Sequence, residues 1–108
     1  MSLKSGVDVR GIQPEIMLGL EICHFVFTKH GVPMTITAVS DGKHKNGSLH
    51  YKGQAVDLRL PSRYSDEVEI DLSVLIECRE ALGTQYDILL EDTHLHLEWQ
   101  PKDQLKVL

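Results

Sequence analysis

The stretch Ser48-Leu49-His50-Tyr51-Lys52-Gly53-Gln54-Ala55-Val56-Asp57 places a histidine and an aspartate seven residues apart, with small residues between them. From residue 55 to residue 60 apolar and polar residues alternate, Val56, Leu58 and Leu60 against Asp57 and Arg59. A period of two predicts a half-buried strand, which Pro61 ends. Asp57 then falls on the exposed face of that strand, and His50 at the end of the polar loop that feeds it. Gly53 permits a tight reversal between the two, and Ala55 leaves room for a close approach.

A second stretch, Glu91-Asp92-Thr93-His94-Leu95-His96-Leu97-Glu98, supplies more histidines. On a strand alternate side chains share a face, so His94 and His96 point one way while Leu95 and Leu97 point the other. Leucines turned to a core would direct the histidines towards a cleft. Taken singly, a loop histidine or a strand aspartate is a surface residue. Taken together, His50, Asp57 and a histidine of the second stretch form a donor set that suits zinc, and three protein ligands leave a fourth position for water, the pattern of a catalytic zinc.

The rest of the chain has the pattern of a scaffold for these two stretches. Pro14 suits the first position of a helix. Ile16, Leu20, Cys23 and Phe27 recur at helical period, and Met17, Ile22 and Val26 widen the apolar surface. Lys29 and His30 suit the negative end of the helix dipole, and Gly31 and Pro33 stop the helix. Residues 34–39 are rich in β-branched side chains and predict a strand. Residues 40–48 form an exposed polar loop that contains the basic cluster Lys43, His44 and Lys45. Residues 61–70 are a polar connection. A second helix is expected from Asp71 as its cap, with Leu75, Cys78 and Leu82 on its core face and Gly83 as its stop. Residues 86–90 and 93–99 are two further strands, either a hairpin around Glu91-Asp92 or one bent strand. Residues 1–12 are an N-terminal arm with a short extended piece at residues 7–10, and residues 101–108 a surface tail. The pattern is α+β: a small, mainly antiparallel sheet with two helices.

A chain of 108 residues is a single domain with one modest core. Its 42% hydrophobic and 25% charged residues are ordinary for a soluble globular protein. A net charge of −5 argues against a nucleic-acid partner, which calls for a basic patch. Cys23 and Cys78 form no C-x-x-C unit, which excludes a zinc finger or a thioredoxin-like motif and leaves two buried reduced thiols as the expectation. The N-terminus has no signal-peptide core, and no apolar run approaches the ~18 residues of a membrane span. Synthesis in the cytoplasm is therefore expected, with no membrane span. Oligomeric state has no signature in the sequence.

Ser48-x-His50-x-x-Gly53-x-Ala55-x-Asp57 resembles, at every fixed position, the motif of the zinc D-alanyl-D-alanine carboxypeptidase-like peptidases. That group includes phage L-alanyl-D-glutamate endopeptidases, and hedgehog signalling domains share its fold. His94-x-His96 resembles the second signature of the same superfamily, and the likeness spans roughly residues 14–99. The resemblance implies a hedgehog/D-Ala-D-Ala-peptidase-like fold, with zinc as cofactor and a peptidoglycan peptide as substrate. It implies a zinc held by His50, Asp57 and one histidine of the second motif. In members with H-x-H the second histidine binds metal and the first assists catalysis, which gives His96 as ligand and His94 as catalytic residue. In members with E-x-x-H the glutamate is the base and the histidine three later is the ligand, which gives Glu91 and His94. The intact H-x-H pair favours His96. Glu91 is the leading general base and Glu98 the reserve.

The activity implied is metal-assisted hydrolysis of an amide in stem peptides or cross-links. Glu91 would move the proton of the attacking water, and His94 would stabilise the oxyanion. Ligation needs neutral imidazoles, so metal affinity is expected to fall below about pH 6. The size of the chain and its lack of a signal peptide resemble phage lysis or virion-associated enzymes, which reach the cell wall through a holin or during infection. One departure stands out: family carboxypeptidases carry an arginine after the strand before the first motif, to hold a terminal carboxylate. Thr37-Ala38-Val39-Ser40-Asp41 has none, and Lys43 or Lys45 would substitute only as point charges. An endopeptidase fits better than a strict carboxypeptidase. The other class to weigh is an inactive zinc-binding module of the same fold.

Overall fold

The computed structural model describes residues 1–39 and 53–101. The loop 40–48 with Lys43, His44 and Lys45, the motif residue His50, and the tail from residue 102 lie outside the described residues. The elements run β1 (Ser2–Leu3), α1 (Pro14–Lys29), β2 (Thr35–Ala38), β3 (Ala55–Arg59), a 3-10 turn (Pro61–Tyr64), α2 (Ile70–Leu82), β4 (Tyr86–Leu90) and β5 (His94–Trp99). The five strands form one mixed sheet in the order β1-β2-β3-β5-β4. Three of its pairings are antiparallel, and only β1 runs parallel to its neighbour β2. The fold is a small α+β arrangement of two helices and a five-stranded sheet.

Both helices pack into one core with one face of the sheet. Ile16, Leu20, Cys23 and Phe27 of α1 and Ile70, Val74, Cys78 and Leu82 of α2 meet Ile36, Val56, Leu58, Ile88, Leu95 and Leu97. Each large side chain buried there contributes roughly 1.5–3 kcal/mol relative to exposure. On β3 and β5 the faces alternate: Val56, Leu58, Leu95 and Leu97 are fully buried towards the helices, while Asp57, His94 and His96 are half-buried on the opposite face, where only Ala55 at the start of β3 is also fully buried. β4 and β5 are a hairpin, closed by the Glu91 amide donating to the His94 carbonyl at 2.9 Å. No helix among the described residues is long and apolar enough to cross a membrane.

Several local expectations shift. The arm contributes its strand at Ser2–Leu3 rather than at residues 7–10. The Ser2 amide donates to the Met34 carbonyl at 3.0 Å, while Val7 and Ile12 pack against the core. Met17 does not widen the buried face of α1, being 42% exposed. Asp71 does not cap α2. The helix starts at Ile70, after Glu69 in a left-handed conformation (φ 70°), and the Asp71 carboxylate instead accepts from the Ser62 amide (2.8 Å) and hydroxyl (2.7 Å). That pair ties the 3-10 turn to the helix. Cys23 and Cys78 are buried free thiols facing one another between the helices.

Candidate metal centre

β3 and β5 are adjacent and antiparallel, with Asp57 opposite His96, Arg59 opposite His94 and Ala55 opposite Glu98. Because alternate residues share a face, that register gathers Asp57, His94, His96 and Glu98 on the face away from the helices. The core leucines hold them there: Leu95 and Leu97 are fully buried, so the residues between them must turn outward. The pairing of β2 with β3 shifts register between Ile36 and Ala38, beside Asp57, and the Thr37 hydroxyl donates to the Asp57 carbonyl at 3.3 Å. Irregular strand pairing of this kind re-aims neighbouring side chains.

One ligand atom from each of Asp57, His94 and His96 lies within 4.8 Å of the others. His96 Nδ1 is 3.0 Å from Asp57 Oδ1, and His94 Nε2 is 3.6 Å from the same oxygen. The far nitrogen of each ring is also held. His96 Nε2 lies 2.8 Å from Glu98 Oε1, and His94 Nδ1 lies 2.9 Å from the Thr93 hydroxyl. With its amide group turned so that the nitrogen faces the two carboxylates, Gln100 donates to Glu98 Oε2 at 2.9 Å and to Asp87 Oδ2 at 3.1 Å. Two imidazoles and a carboxylate converging, each ring braced at its second nitrogen, is a donor set that fits a metal ion. Glu91, on the hairpin turn, brings Oε1 to 3.1 Å from His94 Nε2. A regular strand would have pointed it away.

The His96 imidazole stands between two carboxylates. The Asp57 hydrogen bond raises its pKa from 6.5 to about 9, burial opposes that, and Glu98 adds to it. A proton there occupies the place a metal would take.

Of the residues read from sequence, Asp57, His94, His96 and Glu91 come together, and His50 lies outside the described residues. Glu98, read as a reserve base, is engaged with His96 as its brace. The role of Thr93 was missed, although its place directly before His94 was the available signal. A cleft of about 520 Å³ lies along β4 by Arg79, Tyr86 and Leu89, away from this cluster. A smaller one of about 220 Å³ shares His94 with it. No protein-family model matches the chain, and no curated protein matches it.

Proposed function

We propose that the chain is a zinc-dependent peptidase that hydrolyses an amide in peptidoglycan stem peptides or cross-links, in a phage lysis or virion-associated setting. The observation that carries the reading is the cluster of Asp57, His94 and His96, with both rings braced, on the sheet face turned away from the core. Its likeness to the zinc D-alanyl-D-alanine carboxypeptidase-like motifs supplies the reaction class, and the hedgehog/peptidase fold is part of the same proposal.

Asp57 and His96 would hold the ion, with His50 of the first motif as the third ligand that the resemblance implies. His94 belongs to the same cluster and is the ligand in the alternative register. Bound zinc supplies an acidified water and polarises the scissile carbonyl. The chain's own groups do the rest. The Glu91 carboxylate, half exposed beside His94, accepts a proton from the attacking water and returns it to the leaving amine. His94, whose Nε2 lies 3.1 Å from Glu91 and 3.6 Å from Asp57, would steady the developing charge of the reacting carbonyl. Glu98 fixes the His96 ring so that Nδ1 faces Asp57.

Two measurements test this: zinc content after supplementation and dialysis, and mass spectrometry of peptidoglycan fragments after incubation. About one zinc per chain is expected, with new amide-cleaved fragments that Glu91→Ala abolishes. The missing carboxylate-binding arginine favours a second reading, an inactive zinc-binding module of the same fold, and stoichiometric zinc without any cleavage selects it. Near-zero zinc removes both.

A further inference from the structure

α1 is apolar on two sides. Ile16, Leu20, Cys23 and Phe27 fill the core, yet Leu18 and Phe25 are 58% and 68% exposed. Between those two along the helix stands Ile22, half-buried against the core. With the ends of the helix they form one series, Glu15-x-x-Leu18-x-x-x-Ile22-x-x-Phe25-x-x-x-Lys29. Spacings of three, four, three and four repeat about every 3.5 residues, which is the period of a seam between two paired helices. The Lys29 Nζ lies 6.0 Å from the centre of the Phe25 ring, so the last two members of the series stand on one side of the helix.

We propose that this stripe is the docking surface for a second copy of this chain, with the two α1 helices antiparallel about a two-fold axis near Ile22. Charge, and not apolar exposure alone, selects that partner. The stripe is acidic at its start, apolar in its middle and basic at its end. Antiparallel pairing about Ile22 sets Leu18 of each copy beside Phe25 of the other and Glu15 beside Lys29, once at each end of the seam. Parallel pairing would set Glu15 against Glu15 and Lys29 against Lys29. A surface that complements itself under a two-fold rotation is the requirement for a closed dimer. The helix dipoles add to the preference, since antiparallel helices bring opposite ends together. Lys29 already pairs with Glu77 of α2, but its ammonium has three donors and its side chain is 51% exposed, so it has room for a second carboxylate.

The sheet is a poorer joint. Its edge strands are β1, of two residues, and β4. On β4 the Arg79 guanidinium donates to the Ile88 carbonyl at 2.8 Å, in the middle of the strand, where it obstructs the addition of another strand. The length of α1 sets the strength of the dimer. Its 16 residues span about 24 Å. A seam of that length falls below the ~1,200 Å² of stable interfaces, so association is weak and reversible. The cluster of Asp57, His94 and His96 lies on the sheet face away from the helices, so it stays open in both copies.

The test is sedimentation velocity of the full metal-free chain between about 10 and about 500 µM, with folding of each variant checked by circular dichroism. The mass should rise from monomer to dimer across that range. Phe25→Glu should raise the dimer Kd at least about tenfold. Glu15→Lys puts like charges together at both ends of the seam and should raise Kd about three- to tenfold. Adding Lys29→Glu to Glu15→Lys reverses both partners and should bring Kd back to within about twofold of wild type. If Phe25→Glu fails to fold, Leu18→Ser replaces it with the same expectation. A chain that stays monomeric throughout overturns the proposal and leaves the stripe to a different protein. A dimer whose Kd Phe25→Glu leaves unchanged overturns it too, because the joint then lies elsewhere. A dimer indifferent to Glu15→Lys, or not rescued by the double variant, overturns the antiparallel pairing. None of these readings involves zinc or hydrolysis, so the dimer and the peptidase stand or fall separately.

Discussion

His96 has its two ring nitrogens against two carboxylates, Asp57 at 3.0 Å and Glu98 at 2.8 Å. Its folded pKa of about 9 lies above the ordinary 6.5, so protonation favours the folded, metal-free state. That contribution is fully present below about pH 6.5 and is lost as pH rises through about 9. Thermal unfolding of metal-free protein should therefore show a stability decline across that window that His96→Gln flattens, and an unchanged slope in the variant would refute the assignment. The same proton competes with metal, so zinc affinity should already weaken as pH falls below about 9. The unperturbed imidazole suggested about pH 6; the carboxylates on either side move the window upward. Glu98→Gln tests the brace from the other end: zinc affinity should drop about 10- to 100-fold while the fold survives. Competition with a zinc chelator measures it, and an unchanged affinity would return Glu98 to the surface.

At the scale of elements, the turn into β3 leaves no room for a side chain at residue 53. Gly53 has φ 72°, and a Cβ on it would sit 2.0 Å from the Gly11 carbonyl oxygen. Its own carbonyl accepts from the Gln13 amide at 2.9 Å, so this turn pins the start of β3 to the entry of α1. Gly53→Ala must change backbone conformation and push the Gly11 segment away. It should cost about 1–3 kcal/mol, or roughly 4–15 °C in Tm for a chain of this size, read by thermal melting. A melting point within a degree of wild type would show that the arm yields freely. The alternation of β3 and β5 was plain in the sequence because the period of two requires no knowledge of partners: Leu95 and Leu97 had to face opposite to His94 and His96. The start of α2 was not plain. Asp71 has the chemistry of a cap, and only the distant Ser62, arriving from the 3-10 turn, diverts its carboxylate.

Across the whole molecule, one sheet divides the labour. Its helix-covered face supplies stability, and the opposite face presents the candidate metal cluster of Asp57, His94 and His96, with the cleft lined by Lys4, Arg59 and Arg63 at its side. Leu95 is fully buried in the core between the two histidines. Leu95→Ala should cost about 2–5 kcal/mol and loosen both flanking histidines at once, so zinc affinity should fall together with the urea midpoint. A destabilised variant that keeps full zinc affinity would show the site to be held by its own bonds rather than by the core. By itself the sequence determined the two helices, the strand faces and the two motifs, because periodicity, turn residues and short spacings are local properties. The tertiary structure alone decided that Asp57 stands opposite His96, that residues 2–3 add a parallel edge strand, and that Lys4, Arg59 and Arg63 meet beside His94. Those placements depend on which strands pair and in what register, and pairing between distant segments is set by burial of a shared core rather than by any residue's neighbours in the chain.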